Sequence, residues 1–339
     1  MMRTYVVPLL QILVLLNAVL VSVTFMTLLE RKVIAWVQVR LGPMRVGPYG
    51  SLQPIADAIK LLLKEDITPA RADRFVFTLA PVVSMVPALI AFAVIPFDRE
   101  VTLFGYRVPL VIADVNVGLL YLVSITSIGV YGIILAGYAS NSKFPLLSGL
   151  RASAQLISYE IAITMMLVSV VVTAGTLNMV GLVDAQYNAG LWYVFVQPVA
   201  FVILFIGGLA ETNRAPFDLP EAEQELTGGY HTEYSGMRFA LFFLAEYANM
   251  IVVSAVATTL FFGGWLRPFP NVAALWILDY VPGWMWFLVK TFVFLFVFIW
   301  IRATLPRYRY DQLMRLGWKV LIPLAIANLV VTAILKVLF

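Results

Sequence analysis

Val194-Phe-Val-Gln-Pro-Val-Ala-Phe-Val-Ile-Leu-Phe-Ile-Gly-Gly-Leu-Ala210 runs directly into Glu211-Thr-Asn-Arg-Ala-Pro-Phe-Asp218-Leu-Pro-Glu221-Ala-Glu223-Gln-Glu225. The first half is apolar enough for lipid. The second opens the densest acidic stretch of the chain: Glu211, Asp218, Glu221, Glu223, Glu225 and Glu233 fall within 23 residues, out of 19 acids in all. Carboxylates so close repel one another, so some hold protons near neutral pH. An acidic cluster at the boundary of an apolar span marks a place where protons, cations or a polar headgroup are handled.

The rest of the chain repeats this alternation. Of 339 residues, 62% are hydrophobic and 12% charged, whereas a soluble domain carries about 25% charged residues. A hydrocarbon core of about 30 Å needs about 20 apolar helical residues. Eight stretches qualify: 6–29, 75–95, 117–138, 154–175, 192–210, 239–262, 282–301 and 318–337. The expectation is an all-α polytopic membrane protein, 1–339 forming a single integral membrane domain with eight transmembrane helices. The loops 30–74, 139–153, 211–238 and 302–317 are long and structured. Tyr5–Leu29 reads as a span, being longer than the apolar region of a signal peptide.

Basic residues set the expected orientation. The loops 30–74, 139–153, 211–238 and 302–319 carry 17 Lys and Arg, against 4 on the opposite side (Arg3, Arg99, Arg107 and Arg267). That asymmetry predicts cytoplasmic loops and both termini on the outer face. With no Cys and one His, the chain offers no thiolate for zinc or an iron–sulfur cluster and no paired imidazoles for haem. No metal site is expected, and any redox centre belongs to a partner. A net charge of +4 gives no reason to invoke nucleic acid.

In the loop 30–74, Leu52, Ile55, Ile59, Leu62 and Leu63 share one face of a predicted helix, Ser51–Lys64. Gln53, Asp57, Lys60 and Lys64 share a narrow polar stripe. This is an amphipathic interfacial helix. The stripe reads either as a positive-inside anchor or, given its amide–acid–base–base order, as a polar wall facing a cavity or partner. In the acidic loop, Asp218-Leu-Pro-Glu221 predicts a helix start and Gly228-Gly229 its end. That helix is either a solvated, dipole-complementing one or part of a site.

Glu160 and Glu246 fall inside spans, where an acid marks function by default and a structural hydrogen bond is the alternative. Lys290 either snorkels or pairs with an acid in the bundle. His231 is a satisfied polar residue or a titratable group beside the acids. The Arg/Tyr-rich stretch 302–315 reads as a surface for headgroups or for docking a soluble partner. Gly and Pro concentrate in the loops, which argues against a stand-alone secondary transporter, whose broken helices would lie mid-membrane. A purely structural anchor would leave the intramembrane acids unexplained, and no nucleophile–base motif suggests a self-sufficient enzyme.

Three stretches carry a family resemblance. Gln38-Val-Arg40-Leu-Gly-Pro-Met-Arg45-Val-Gly-Pro-Tyr-Gly-Ser-Leu-Gln53-Pro-Ile-Ala-Asp57-Ala-Ile-Lys60 resembles the first cytoplasmic loop of the H-subunit family of bacterial NADH–quinone oxidoreductase, respiratory complex I. Ala210-Glu-Thr-Asn-Arg-Ala-Pro-Phe-Asp-Leu-Pro-Glu-Ala-Glu-Gln-Glu resembles its third, and Arg302-Ala-Thr-Leu-Pro-Arg-Tyr-Arg-Tyr-Asp-Gln-Leu its last. The resemblance spans essentially the whole chain. It implies a bacterial inner-membrane subunit that anchors the hydrophilic arm and forms much of a chamber admitting a quinone from the bilayer. Positions matching the chamber wall are Arg31, Arg40, Arg45, Gln53, Asp57, Lys60, Arg214, Phe217 and Asp218. Positions matching a proton-linked chain are Glu160, Glu211, Asp218, Glu221, Glu223, Glu225 and Glu246. The implied partners are the other membrane-arm and hydrophilic-arm subunits, quinone and lipid. FMN and the iron–sulfur clusters would sit on partner subunits, leaving this chain without a cofactor of its own. Related hydrogenase and reduced-deazaflavin-dependent complexes carry similar subunits.

Overall fold

The computed structural model describes residues 7–103, 105–218, 228–269 and 273–338. The helices are α1 (Val7–Val37), α2 (Gln53–Leu63), α3 (Arg74–Ile90), α4 (Gly118–Ala139), α5 (Lys143–Ala174), α6 (Met179–Ala189), α7 (Pro198–Glu211), α8 (Gly236–Phe261) and α9 (Gly283–Thr304). The last, α10 (Tyr310–Leu338), contains a π turn at Gly317–Leu321. Seven of these are long and apolar enough to cross a membrane, and α2, α6 and α7 are not. At 14 residues α7 rises only about 21 Å. The predicted span 192–210 breaks because Pro198 supplies no N–H and starts a new helix. A two-stranded antiparallel hairpin, β1 (Asp98–Leu103) with β2 (Tyr106–Leu110), lies between α3 and α4, an element the all-α expectation did not include.

Helix ends follow local chemistry. The Asp73 side chain accepts from Phe75 N–H at 3.1 Å and Val76 N–H at 3.3 Å, starting α3. Asn178 starts α6 in the same way through Gly181 N–H at 2.9 Å. Gly175, at φ 76°, ends α5 in a conformation only glycine adopts cheaply. Between helices the packing runs on small residues, as expected where lipid supplies no hydrophobic drive for association. A Cβ on Gly132 of α4 would meet Ser84 backbone N of α3 at 2.7 Å. Gly207 and Gly208 of α7 admit Ile163 of α5 and Val253 of α8. The bundle centre is therefore α3, α4, α5, α7 and α8. The flanking α1 and α10 are peripheral, with only 17% and 11% of their apolar stretches buried.

Several expectations need correction. α1 continues to Val37, eight residues past the predicted span, so Glu30 lies inside it. α5 begins at Lys143, leaving little of the loop 139–153 outside helix. The last loop is shorter too, because Tyr310 already starts α10. Pro81 and Pro87 lie within α3, inside the predicted span 75–95. Lys290 neither snorkels nor meets an acid among the described residues. Its ammonium, buried in α9, donates to Phe262 O at 2.7 Å, Gly264 O at 3.0 Å and Leu266 O at 2.5 Å. It thereby satisfies carbonyls just past the end of α8 that lipid would leave orphaned.

The close α3–α4 crossing yields a prediction. Gly132→Val forces two backbones apart and should destabilise the bundle by about 1–3 kcal/mol, as other overpacked cores are. A lower thermal unfolding midpoint of the purified protein would register it, whereas an unchanged midpoint would place the contact outside the stability of the fold.

Candidate functional site

The turn after α7 is held from two sides. Gln155 of α5, fully buried, donates through Nε2 to Ala210 O and to Phe217 O, both at 3.0 Å. Arg214 N–H reaches back to Leu209 O at 3.3 Å, and Asn213 takes a positive φ of 48° to close the bend. Tied down this way, the turn aims the Arg214 side chain inward, where it is 5% exposed.

Arg214 sits among acids from distant helices. Its Nη1 donates to Glu30 Oε1 at 3.3 Å, and its Nη2 lies 3.7 Å from Glu246 Oε2. The guanidinium lies over the Tyr247 ring, 4.2 Å from its centroid, and Tyr247 O–H donates to Glu30 Oε2 at 2.6 Å. Arg302 at the end of α9 also pairs with Glu30. Next to this set, Arg307 Nη2 donates to Asp218 Oδ2 at 2.9 Å. Tyr308 stacks on Phe217 at 5.7 Å and donates its N–H to Pro216 O at 3.1 Å. Three carboxylates therefore face three guanidiniums. Burial pushes the Asp218 carboxyl above the usual carboxylate range, against the downward pull of Arg307 and Arg214.

Deeper in the bundle the acids continue. Glu160 of α5 accepts a hydrogen bond from Ser127 Oγ of α4. Glu211, the last residue of α7, lines two narrow cavities of about 40 Å³ each. One of them also touches Glu160, the other Asn213, Glu246 and Asn249, and Thr126 borders both. Cavities of this size hold about one or a few waters where polar groups line them.

A second group lies at the surface between α1, α2 and the start of α8. Arg31 Nη1 bonds Asp57 Oδ2 at 2.6 Å, and Gln53 Nε2 donates to Asp57 Oδ1 at 3.0 Å. Arg31, Asp57, Lys60 and Lys64 share a cavity of about 350 Å³ with Tyr234, Ser235, Gly236 and Phe239. The polar stripe of α2 thus faces the bundle, while Leu52, Ile55, Ile59, Leu62 and Leu63 are exposed.

The sequence profile of the NADH dehydrogenase family matches residues 10–333. One of the H subunits of NADH-quinone oxidoreductase from Geobacter metallireducens is 52% identical over 345 residues, covering 98% of this chain and 96% of that relative. The H subunit from Rhodospirillum centenum is 53% identical over 329 residues, with 97% and 94% covered. Its counterpart from Protochlamydia amoebophila is 53% identical over 312 residues, with 92% of each covered. The chain belongs to the H-subunit family of NADH-quinone oxidoreductase.

Of the chamber positions matched to that family, Arg31, Gln53, Asp57 and Lys60 come together at the surface cavity, and Arg214, Phe217 and Asp218 in the buried turn. Arg40 and Arg45 are exposed, and neither makes a side-chain bond among the described residues. Of the acids, Glu160, Glu211 and Glu246 line two small cavities that share Glu211, and Glu221, Glu223 and Glu225 lie outside the described residues, with the predicted helix between Asp218 and Gly228. Sequence reasoning missed Glu30, Tyr247, Arg302 and Arg307 as site residues. Beside Arg31 and Lys32, Glu30 reads as the first residue of a loop. One signal was available: at helical spacing Glu30 shares a face with Met26 and Val33, all three buried, and an acid on an apolar stripe needs a partner.

His231 is enclosed by Tyr230, Phe239 and Phe243, with ring centroids at 5.0, 5.1 and 5.8 Å. Burial lowers its pKa from 6.5 to about 4. The folded protein keeps the imidazole neutral while the unfolded chain would protonate it. Stability is therefore lost as pH falls below 6.5 and levels off near 4, by on the order of 3 kcal/mol at most. Unfolding midpoints measured across that window should drop in the native protein and stay flatter in His231→Gln. Equal slopes would assign the acid sensitivity to other groups.

The ion-pair network makes its own prediction. Glu30→Gln leaves buried Arg214 and partly buried Arg302 short of a counter-charge and should cost about 3–5 kcal/mol. Adding Arg302→Gln should restore part of the loss, so the double variant is less damaged than the sum of the singles. Additive losses in thermal unfolding would mean that the pair is not coupled.

Proposed function

We propose that this chain is the membrane subunit that forms the quinone-access chamber of a proton-pumping NADH:quinone oxidoreductase and couples quinone reduction to proton translocation. Family membership supports the assembly. The observation that carries the coupling is the succession of carboxylates from the surface cavity at Asp57, through buried Glu30, Glu246 and Asp218, to Glu211 and Glu160 within the bundle.

In this reading a quinone reaches the chamber sideways from the lipid. Its apolar tail passes the exposed leucines and isoleucines of α2, and its head meets the Arg31–Asp57–Gln53 group. Electrons arrive from NADH through FMN and iron–sulfur clusters on partner subunits, and the chain itself carries no redox centre. Two electrons and two protons convert quinone to quinol. Proton supply changes the charge of carboxylates that interact strongly, so their titrations belong to the cluster rather than to single residues. The third loop is clasped to the last through Arg307–Asp218 and to α1 through Arg214–Glu30. A change in cluster charge alters the balance of those contacts and so biases loop position and the Glu246–Glu211–Glu160 route.

The protein sits in a bacterial inner membrane with eight crossings, α7 and the turn at Tyr193–Val196 together making the short one. The 17-to-4 excess of basic residues supports cytoplasmic loops and outer termini. A stand-alone transporter would work without partners, a reading that the relatives' designation as subunits does not favour.

The test uses the assembled complex. Glu246→Gln and Glu160→Gln should each lower quinone reduction and proton pumping together by about tenfold or more, as loss of a proton-transfer group does. Reduction of a water-soluble acceptor by the hydrophilic arm should persist. Asp57→Asn should instead raise the KM for quinone with a smaller effect on kcat. Unaltered pumping and turnover in both Gln variants would remove those acids from the route.

A further inference from the structure

A second, larger cleft lies on the other side of α1 from the Arg31–Asp57 cavity. It has a volume of about 650 Å³ and runs between α1 and α9, with Ile251 of α8 also lining it. That volume falls within the range of about 300–1,000 Å³ usual for ligand cavities. Along α1 it extends from Ser22 to Lys32, roughly 15 Å at helical rise. Met26, Thr291 and Leu295 are its buried part, whereas Phe25, Val289 and Phe292 are about half exposed. Its walls are almost wholly apolar, yet one end carries a cation. Lys32 lines the cleft, and its ammonium donates to Tyr49 O at 2.5 Å. Among the described residues no carboxylate oxygen comes within 4.0 Å of it. Its neighbour Arg31 is neutralised by Asp57 at 2.6 Å.

The contrast between the two sides of α1 selects the occupant. The Arg31 side is a wall rich in polar groups, with one acid, Asp57, set among Arg31, Lys60 and Lys64. The Lys32 side offers an apolar slot ending in one uncompensated positive charge, at the end of α1 that leads into the basic loop 38–74. We propose that this cleft binds an anionic phospholipid, with an acyl chain lying along α1 and α9 and the phosphate at Lys32. The ammonium has three donor positions, of which Tyr49 O uses one, so two remain for the phosphate. A zwitterionic headgroup would bring its own cation toward Lys32 and gain less. The lipid would also fill the groove between peripheral α1 and the bundle, stiffening the helix that carries Glu30. This assignment does not rest on the quinone reading, because its test measures lipid contact and not turnover.

The experiment places the assembled complex in phosphatidylcholine vesicles containing a trace of phosphatidylglycerol or phosphatidylcholine with a photoreactive diazirine on the acyl chain. Labelled peptides are then mapped by mass spectrometry. Residues 22–32 and 288–295 should be labelled about fivefold more by the phosphatidylglycerol probe, the preference expected for one basic side chain at a membrane surface. Lys32→Gln should abolish that preference while leaving labelling by phosphatidylcholine unchanged. Val289→Trp, which fills the slot from its exposed wall, should suppress both probes, and if that variant fails to assemble, the Lys32→Gln comparison decides alone. A water-soluble short-chain quinone in excess should displace neither probe. Equal labelling by the two lipids in the native complex would overturn the proposal, as would a preference that survives Lys32→Gln. Displacement by the quinone would overturn it too and reassign the cleft to the carrier. Labels confined to a neighbouring subunit would mean that a protein, not a lipid, covers it.

Discussion

Arg214 is a cation with almost no access to water, and the site is arranged around that constraint. Removing a guanidinium from water costs several kcal/mol and is offset only by close counter-charges with good geometry. Here the counter-charges come from α1 (Glu30) and α8 (Glu246), while the Tyr247 ring supplies a face for the cation. Glu30 in turn collects Arg302 from α9 and the Tyr247 hydroxyl. One buried charge thereby fixes the relation of four segments far apart in sequence.

Such a network is weak evidence for stability and better evidence for specificity of position. An apolar replacement of the same volume could hold the helices as well. What an apolar cluster could not do is respond to a change in charge. The network links α1 to the third loop through Arg214 and to the end of α9 through Arg302, and Arg307 ties the third loop to the last. Helices of the bundle meet over glycine, so their backbones approach closely and leave small voids beside Glu211, one mostly apolar and one with polar groups on its wall. Close packing combined with a few water-sized cavities suits a route whose hydration depends on slight rearrangement.

The membrane class, the approximate positions of the long helices and the acids at 160, 211 and 246 were legible from composition and spacing, because lipid imposes a length and a polarity that a window of about 20 residues reveals. The polar stripe of α2 was legible as well, since helical periodicity separates Gln53, Asp57 and Lys60 from the leucines. Helix boundaries were less so. Glu30-Arg31-Lys32 looks like the end of a span because three charges in lipid would be prohibitive. They are tolerated because Glu30 turns into the bundle, where Arg214 and Arg302 wait, and Arg31 turns toward Asp57. The role of Lys290 was hidden for a related reason, since the carbonyls that satisfy it belong to the end of another helix and leave no trace in its own sequence neighbourhood.

By itself, the sequence determined that this chain lives in a bilayer, that it holds no metal-ligating thiolate, and that acids and arginines gather in a few short stretches between apolar ones, because hydropathy, side-chain inventory and local charge density are properties of short windows. Only the tertiary structure decided which acid meets which arginine, that α2 turns its polar face inward, and that Lys32 and Arg31, adjacent in sequence, face different cavities. Those outcomes depend on contacts between segments far apart in the chain. There the requirement that every buried charge and carbonyl find a partner is met by whichever helix happens to pack alongside.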